Sequence, residues 1–117
     1  MAPIALFARL TAKAASGQQL VDLLRELLPS VASNRGVHAF EIHAAEDDPL
    51  VIWVYELHTD RASLKQQDDT ARVLLGERME ALLDGPPEIH EVNYSDGVLL
   101  PGGRIPQRRA RPTQVSD

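Results

Sequence analysis

A chain of 117 residues, 44% of them hydrophobic, has the size of one globular domain and is too apolar to be a disordered polypeptide. It has no cysteine, which excludes disulfides and thiolate metal sites. Its net charge of −5 hides a split: residues 1–97 hold eight Lys/Arg against sixteen Asp/Glu, and residues 98–117 hold four Arg against one Asp. The acidic body argues against nucleic acid as a ligand. The opening MAPIALFARL lacks a basic region followed by a long apolar stretch. No run of about 18 apolar residues offers a membrane span. A cytoplasmic protein with no membrane partner is expected.

Residues 4–13 alternate weakly, with Ile4, Leu6, Ala8 and Leu10 on one side, and read as a strand. Ser16, with Gln19 three positions on, fits a capping box. Leu20, Leu23, Leu24, Leu27, Leu28 and Val31 then fall on one helical stripe. Pro29 predicts a break in that helix and a short further turn to Asn34. Residues 37–44 and 50–58 are rich in Val, Ile, Phe, Trp and Tyr, and Glu46-Asp47-Asp48-Pro49 joins them as a hairpin. Strict alternation puts His38, Phe40 and Ile42 on one face of the first strand and Val37, Ala39, Glu41 and His43 on the other. In the second strand Ile52, Val54, Glu56 and His58 oppose Trp53, Tyr55 and Leu57. Asp60 predicts the N-cap of a second helical region, interrupted near Asp68-Asp69-Thr70. It resumes with a stripe of Ala71, Leu74, Leu75, Met79, Leu82 and Leu83, and Gly85-Pro86-Pro87 ends it. Residues 88–94 read as a fourth strand.

The order β-α-β-β-α-β predicts an α+β, ferredoxin-like (split βαβ) domain over residues 1–97, with a four-stranded antiparallel sheet and helices on one face. The uncovered face, carrying Trp53, Tyr55, Val37 and Ala39, predicts a homodimer through the sheet. Residues 98–117, with three Pro, two Gly and four Arg, predict a basic tail. Alternatively Val98, Leu99, Leu100 and Ile105 make it an arm against a second subunit.

The opening strand with ARLTAK, then RGVHAFEIH, then VYELHTDRASL, then GPPEI resembles the antibiotic biosynthesis monooxygenase family over residues 4–93. The resemblance implies a dimeric α/β barrel with a ligand cavity between sheet and helices, and a class that includes quinol monooxygenases. Residue by residue it is mixed. Many members have Trp where this chain has His58, and the quinone-oxidising branch has Asn at Val54 and Tyr at Ile42. Its helical Arg falls on Arg78, a match, and a common His falls on Gln67. The Asn, Trp and His of the haem-degrading branch fall on Ala8, Gln67 and Glu77, which removes haem ligation.

Such a resemblance implies oxygenation without a cofactor. That chemistry needs a base, a group that stabilises the substrate anion, and a dry pocket. His58 is the expected base with His38 as its substitute, and Arg78 the expected anion partner. Phe40, Ile42, Val54, Gln67 and Leu74 are the expected substrate-binding wall around a small aromatic quinol or polyketide-type phenol. The bland alternative makes His38 and His58 strand-edge histidines bonded to backbone or to Glu56, and makes Arg78 a helix-surface ion pair. No metal site is expected, since His38, Glu56 and His58 share a face without any sign of convergence. Two other functions fit the same fold: a non-catalytic small-ligand-binding or accessory protein, and a small isomerase or cyclase using His58 as base.

Overall fold

A computed structural model describes residues 3–97. Both readings of the segment 98–117 lie outside the described residues. Four strands, β1 (Ile4–Thr11), β2 (Val37–Ala44), β3 (Val51–His58) and β4 (Glu88–Asn93), form one antiparallel sheet in the order β2-β3-β1-β4. Between them run α1 (Gly17–Arg25), α2 (Leu28–Ser33) and α3 (Arg61–Leu82). This is the expected ferredoxin-like α+β arrangement.

The helices cover one face of the sheet. Ala8 and Leu10 of β1 and Ile52 and Val54 of β3 are buried against Leu20 and Leu24 of α1. A second cluster joins Leu23, Leu27, Val31 and Leu75 under the helices. The predicted stripe from Leu20 to Val31, shared by α1 and α2, is thus core, except for Leu28, which is exposed. Pro29 breaks the helix as expected, since it sits in the first turn of α2, where a missing N–H costs nothing. Ser16 makes no side-chain cap to α1; its hydroxyl donates to the Ala14 carbonyl instead. At Gly17 any Cβ would collide with the Pro49 carbonyl, so α1 presses backbone-close against the hairpin turn. Asp48 closes that turn by accepting from the Leu50 N–H at 2.9 Å.

Two further expectations fail for identifiable reasons. First, α3 is unbroken through Asp68-Asp69-Thr70. Those acids lie on its exposed side and pair one turn away, Lys65 with Asp69 and Arg72 with Asp68. Second, β2 carries a bulge: pairing steps from Val37–His58 to Ala39–Leu57, leaving His38 as the extra residue. The bulge turns Val37 inward, where it packs on the Leu23–Leu27–Val31–Leu75 cluster. Val37 therefore leaves the predicted dimer face, and His38 leaves the helix-side face. The uncovered face is Phe7 of β1, Trp53 and Tyr55 of β3, and Val92 of β4, with Phe7 and Tyr55 ring centroids 5.0 Å apart.

Candidate active site

Strand alternation and register line up one row of side chains under the helices: Phe40, Glu56, Leu6 and Glu91 on β2, β3, β1 and β4. The next row holds Val37, His58, Ile4 and Asn93. Glu56 and His58, two apart on one strand, therefore share the helix-facing side. His58 is fully buried, with 0% of its surface exposed. Its Nε2 lies 2.8 Å from Glu56 Oε1 and its Nδ1 lies 2.8 Å from Ser63 Oγ.

Ser63 is delivered by the start of α3. Asp60 caps that helix by accepting from the Ser63 N–H at 2.9 Å, which fixes the first turn and aims the hydroxyl inward. The Ser63 hydroxyl also donates to Asn34 Oδ1 at 3.4 Å, and Asn34 Nδ2 donates to the Ser63 carbonyl at 3.4 Å. Asn34 ends α2, and its Oδ1 accepts the Gly36 N–H at 3.0 Å. At Gly36 a Cβ would come within 2.5 Å of Ser63, so only glycine lets the chain pass here. Three elements, β3, α3 and the end of α2, thus converge on one polar chain, half-buried Glu56 followed by buried His58, Ser63 and Asn34.

Burial is the main reason Glu56 is held above the usual carboxylate range. The hydrogen bond and charge of His58 pull it back, and Asp68 on α3 pushes it further up. One turn beyond Ser63 on the same helix, Gln67 is 3% exposed, and its amide nitrogen has no hydrogen-bond partner among the described residues. Beside this network a groove of about 440 Å³ opens between α3 and the β1–β4 half of the sheet. Leu6, Leu64 and Ile89 line it with Arg61, Asp68 and Glu91. Leu6 is the register partner of Glu56 and lines the groove, whereas Glu56 itself does not.

The other expected residues stand elsewhere. His38 is exposed on the bulge, its Nε2 2.7 Å from Thr59 Oγ1, and does not stand in for His58. Arg78 lies on the outer flank of α3, paired with Glu26 at the end of α1 at 3.0 Å and donating to the Leu74 carbonyl. It shares no cavity with His58, because it falls off the buried stripe. Leu74 is exposed for the same reason and lines a surface hollow with Val73 and Thr70. Phe40, Ile42 and Val54 pack into the core under the helices. Among the described residues no three His, Asp or Glu side chains converge as a metal site. Ser63 and Asn34 escaped the sequence reading, since they meet across 29 positions of chain. The Glu56-x-His58 spacing was the one local signal of the pair.

The family model for antibiotic biosynthesis monooxygenase matches residues 3–74. The chain belongs to the antibiotic biosynthesis monooxygenase family. The matched span includes Glu56, His58, Ser63 and Gln67 and stops short of Arg78. No curated protein matches the chain. Among solved structures, a protein of unknown function from Nitrosomonas europaea is similar at 27% identity, over 85% of this chain and 95% of that one, with a TM-score of 0.73. A Pseudomonas aeruginosa protein is similar at 25% identity, over 82% and 97%, with a TM-score of 0.72. A structure described as an antibiotic biosynthesis monooxygenase shares the fold at 18% identity, over 80% and 99%, with a TM-score of 0.71. Among the described residues, no helix of this family member is long and apolar enough to cross a membrane.

Proposed function

We propose that this chain is a monooxygenase that oxidises a small aromatic quinol or polyketide-type phenol without a bound cofactor, with the Glu56–His58 pair as its base. The observation that carries the reading is that pair: a half-buried carboxylate, held above its usual range, backed by a buried imidazole, and next in register to Leu6 of the groove. Family membership supports the reaction class. His58 is sealed, so Glu56 is the member that meets the substrate and His58 the one that shares the proton. Removing a hydroxyl proton leaves an electron-rich anion that dioxygen can attack. A hydroquinone plus O2 gives a hydroxyquinone plus water, and all four electrons come from the substrate. The orphaned Gln67 amide, on α3 between groove-lining Leu64 and Asp68, is the donor for the substrate oxygen, and Leu6, Leu64 and Ile89 supply the apolar part of the wall. The active unit is a homodimer joined through the uncovered face of Phe7, Trp53, Tyr55 and Val92.

The test is oxygen uptake with a panel of dihydroxynaphthalenes and no added flavin, haem or metal. Wild type should consume oxygen, and Glu56→Gln should lower turnover by about 100-fold or more, the worth of a positioned base. No uptake on any member of the panel, or a fully active Glu56→Gln, overturns the reading. A second reading, a ligand-binding accessory protein, is favoured by the sealed His58 and by an Arg78 already paired with Glu26. It predicts binding of the same naphthols without turnover.

A further inference from the structure

We infer that His43 and His90 couple the pairing of two chains to pH: once protonated, each bridges a glutamate of its own chain to one of a second copy, and the sheet-to-sheet dimer tightens. The inference rests on the dimer of the reading above and adds what controls it.

Register alone sets the pattern of side chains on the uncovered face. One row runs Glu41, Tyr55, Phe7, His90 across β2, β3, β1 and β4. The next row runs His43, Trp53, Arg9, Glu88. Each row has an acid at one end and a histidine at the other, and the two rows run in opposite senses. The face is therefore complementary to itself. A second copy turned over about an axis along the strands brings Glu41 over His90, His43 over Glu88 and Arg9 over Trp53. One turned over about an axis across the strands, between the rows, brings Glu41 over His43, Glu88 over His90 and Arg9 over Phe7. Both two-fold arrangements set every acid against a histidine and the arginine against an aromatic ring, where a guanidinium stacks well. In neither do like charges lie directly opposite. That fit, added to the exposed Phe7, Trp53 and Val92, selects a second copy of this chain as the occupant.

Within one chain each histidine already holds one acid. His43 Nε2 lies 2.8 Å from Glu41 Oε1, and His90 Nε2 lies 2.9 Å from Glu88 Oε2. A neutral imidazole has a single N–H, so it serves one carboxylate and has none for a second. An imidazolium has two and serves both. Imidazoles gain that proton near pH 6.5, where carboxylates are still charged. The hydrogen bond from His90 holds Glu88 below the usual carboxylate range, which keeps that acid ionised. No other group facing these pairs changes charge there. β1 brings Arg9, β3 brings Tyr55, and Tyr94 lies near Tyr55. A guanidinium stays charged and phenols stay neutral through that range.

The experiment is sedimentation velocity on a dilution series of the full chain in low salt, at about pH 5.5 and about pH 8, on either side of the imidazole range. The dissociation constant of the dimer should be about tenfold lower at the acid value, a modest gain because the bridges are part-exposed and screened. Falling pH also shrinks the net charge of −5 and favours any association, so the double variant His43→Gln/His90→Gln is the control. It should dimerise at both values and lose most of the difference between them. Glu41→Gln/Glu88→Gln, which takes away the acids instead, should lose the same gain. A wild-type dimer of equal strength at both values overturns the inference, and so does a histidine double variant with the full wild-type slope. Either result leaves the dimer and the proposed oxidation standing. A chain that sediments as a monomer at every concentration and at both values overturns the inference and removes the dimer with it.

Discussion

Glu56 shows how a single half-buried acid ties stability to pH. Its folded-state value lies above the ordinary 4.5, chiefly through burial. A group raised on folding contributes stability that is fully present below its unfolded value and is lost as pH rises through the folded one. Thermal melts of wild type and Glu56→Gln at a series of pH values isolate this contribution, since Gln keeps the shape without the titration. The melting-temperature advantage of wild type should shrink steadily as pH climbs from below 4.5 through the neutral range. A difference independent of pH would show that the carboxyl titrates alike in both states. His58 offers no such clean substitution. Its full burial and two hydrogen bonds mean that His58→Ala leaves a cavity and an unpaired Glu56, so lost activity there would mix with lost fold.

Elements were read from sequence in proportion to how local their causes are. The alternation of β3 placed Glu56 and His58 beneath the helices, because period two needs no knowledge of a partner strand. Pro29 and Asp60 marked helix boundaries through their own backbone chemistry. The bulge at His38 depends on what β3 offers opposite, so strict alternation misplaced Val37 and His38. Asp68 and Asp69 look like a helix start until their Arg and Lys partners one turn away are counted. Arg78 matched a family position, yet the pitch of α3 turns it to Glu26. At this scale Gly17 is the sharpest test, since α1 meets the hairpin turn through it. Gly17→Ala should cost about 1–3 kcal/mol, the usual price of overpacking, read as a shifted denaturant midpoint. An unchanged midpoint would mean that α1 and the turn are free to part.

Over the whole molecule, the two faces of the sheet have opposite fates. One is covered by helices, and the other presents Phe7, Trp53 and Val92, each more than a third exposed; Phe7, Trp53 and Tyr55 border a hollow of about 480 Å³ there with Glu41 and His43. An apolar surface of that kind marks an interface. Light scattering at micromolar concentration should give twice the chain mass, and Trp53→Arg should halve it with the far-ultraviolet spectrum kept. A wild type that scatters as a monomer rules out the sheet-to-sheet assembly.

The bulge at His38 has a genetic corollary. Val37 points in and Ala39 points out, as neighbours on a regular strand would, so His38 is a residue the ladder does not count. Loss of its codon should leave every side chain of β2 on its present face. Loss of the Tyr55 codon, in the middle of β3, should reverse half a strand and expose Ile52 or Glu56's neighbours to the wrong side. In a library of single-codon deletions scored for soluble expression, position 38 should therefore stand out as tolerant inside a sheet that otherwise forbids shortening.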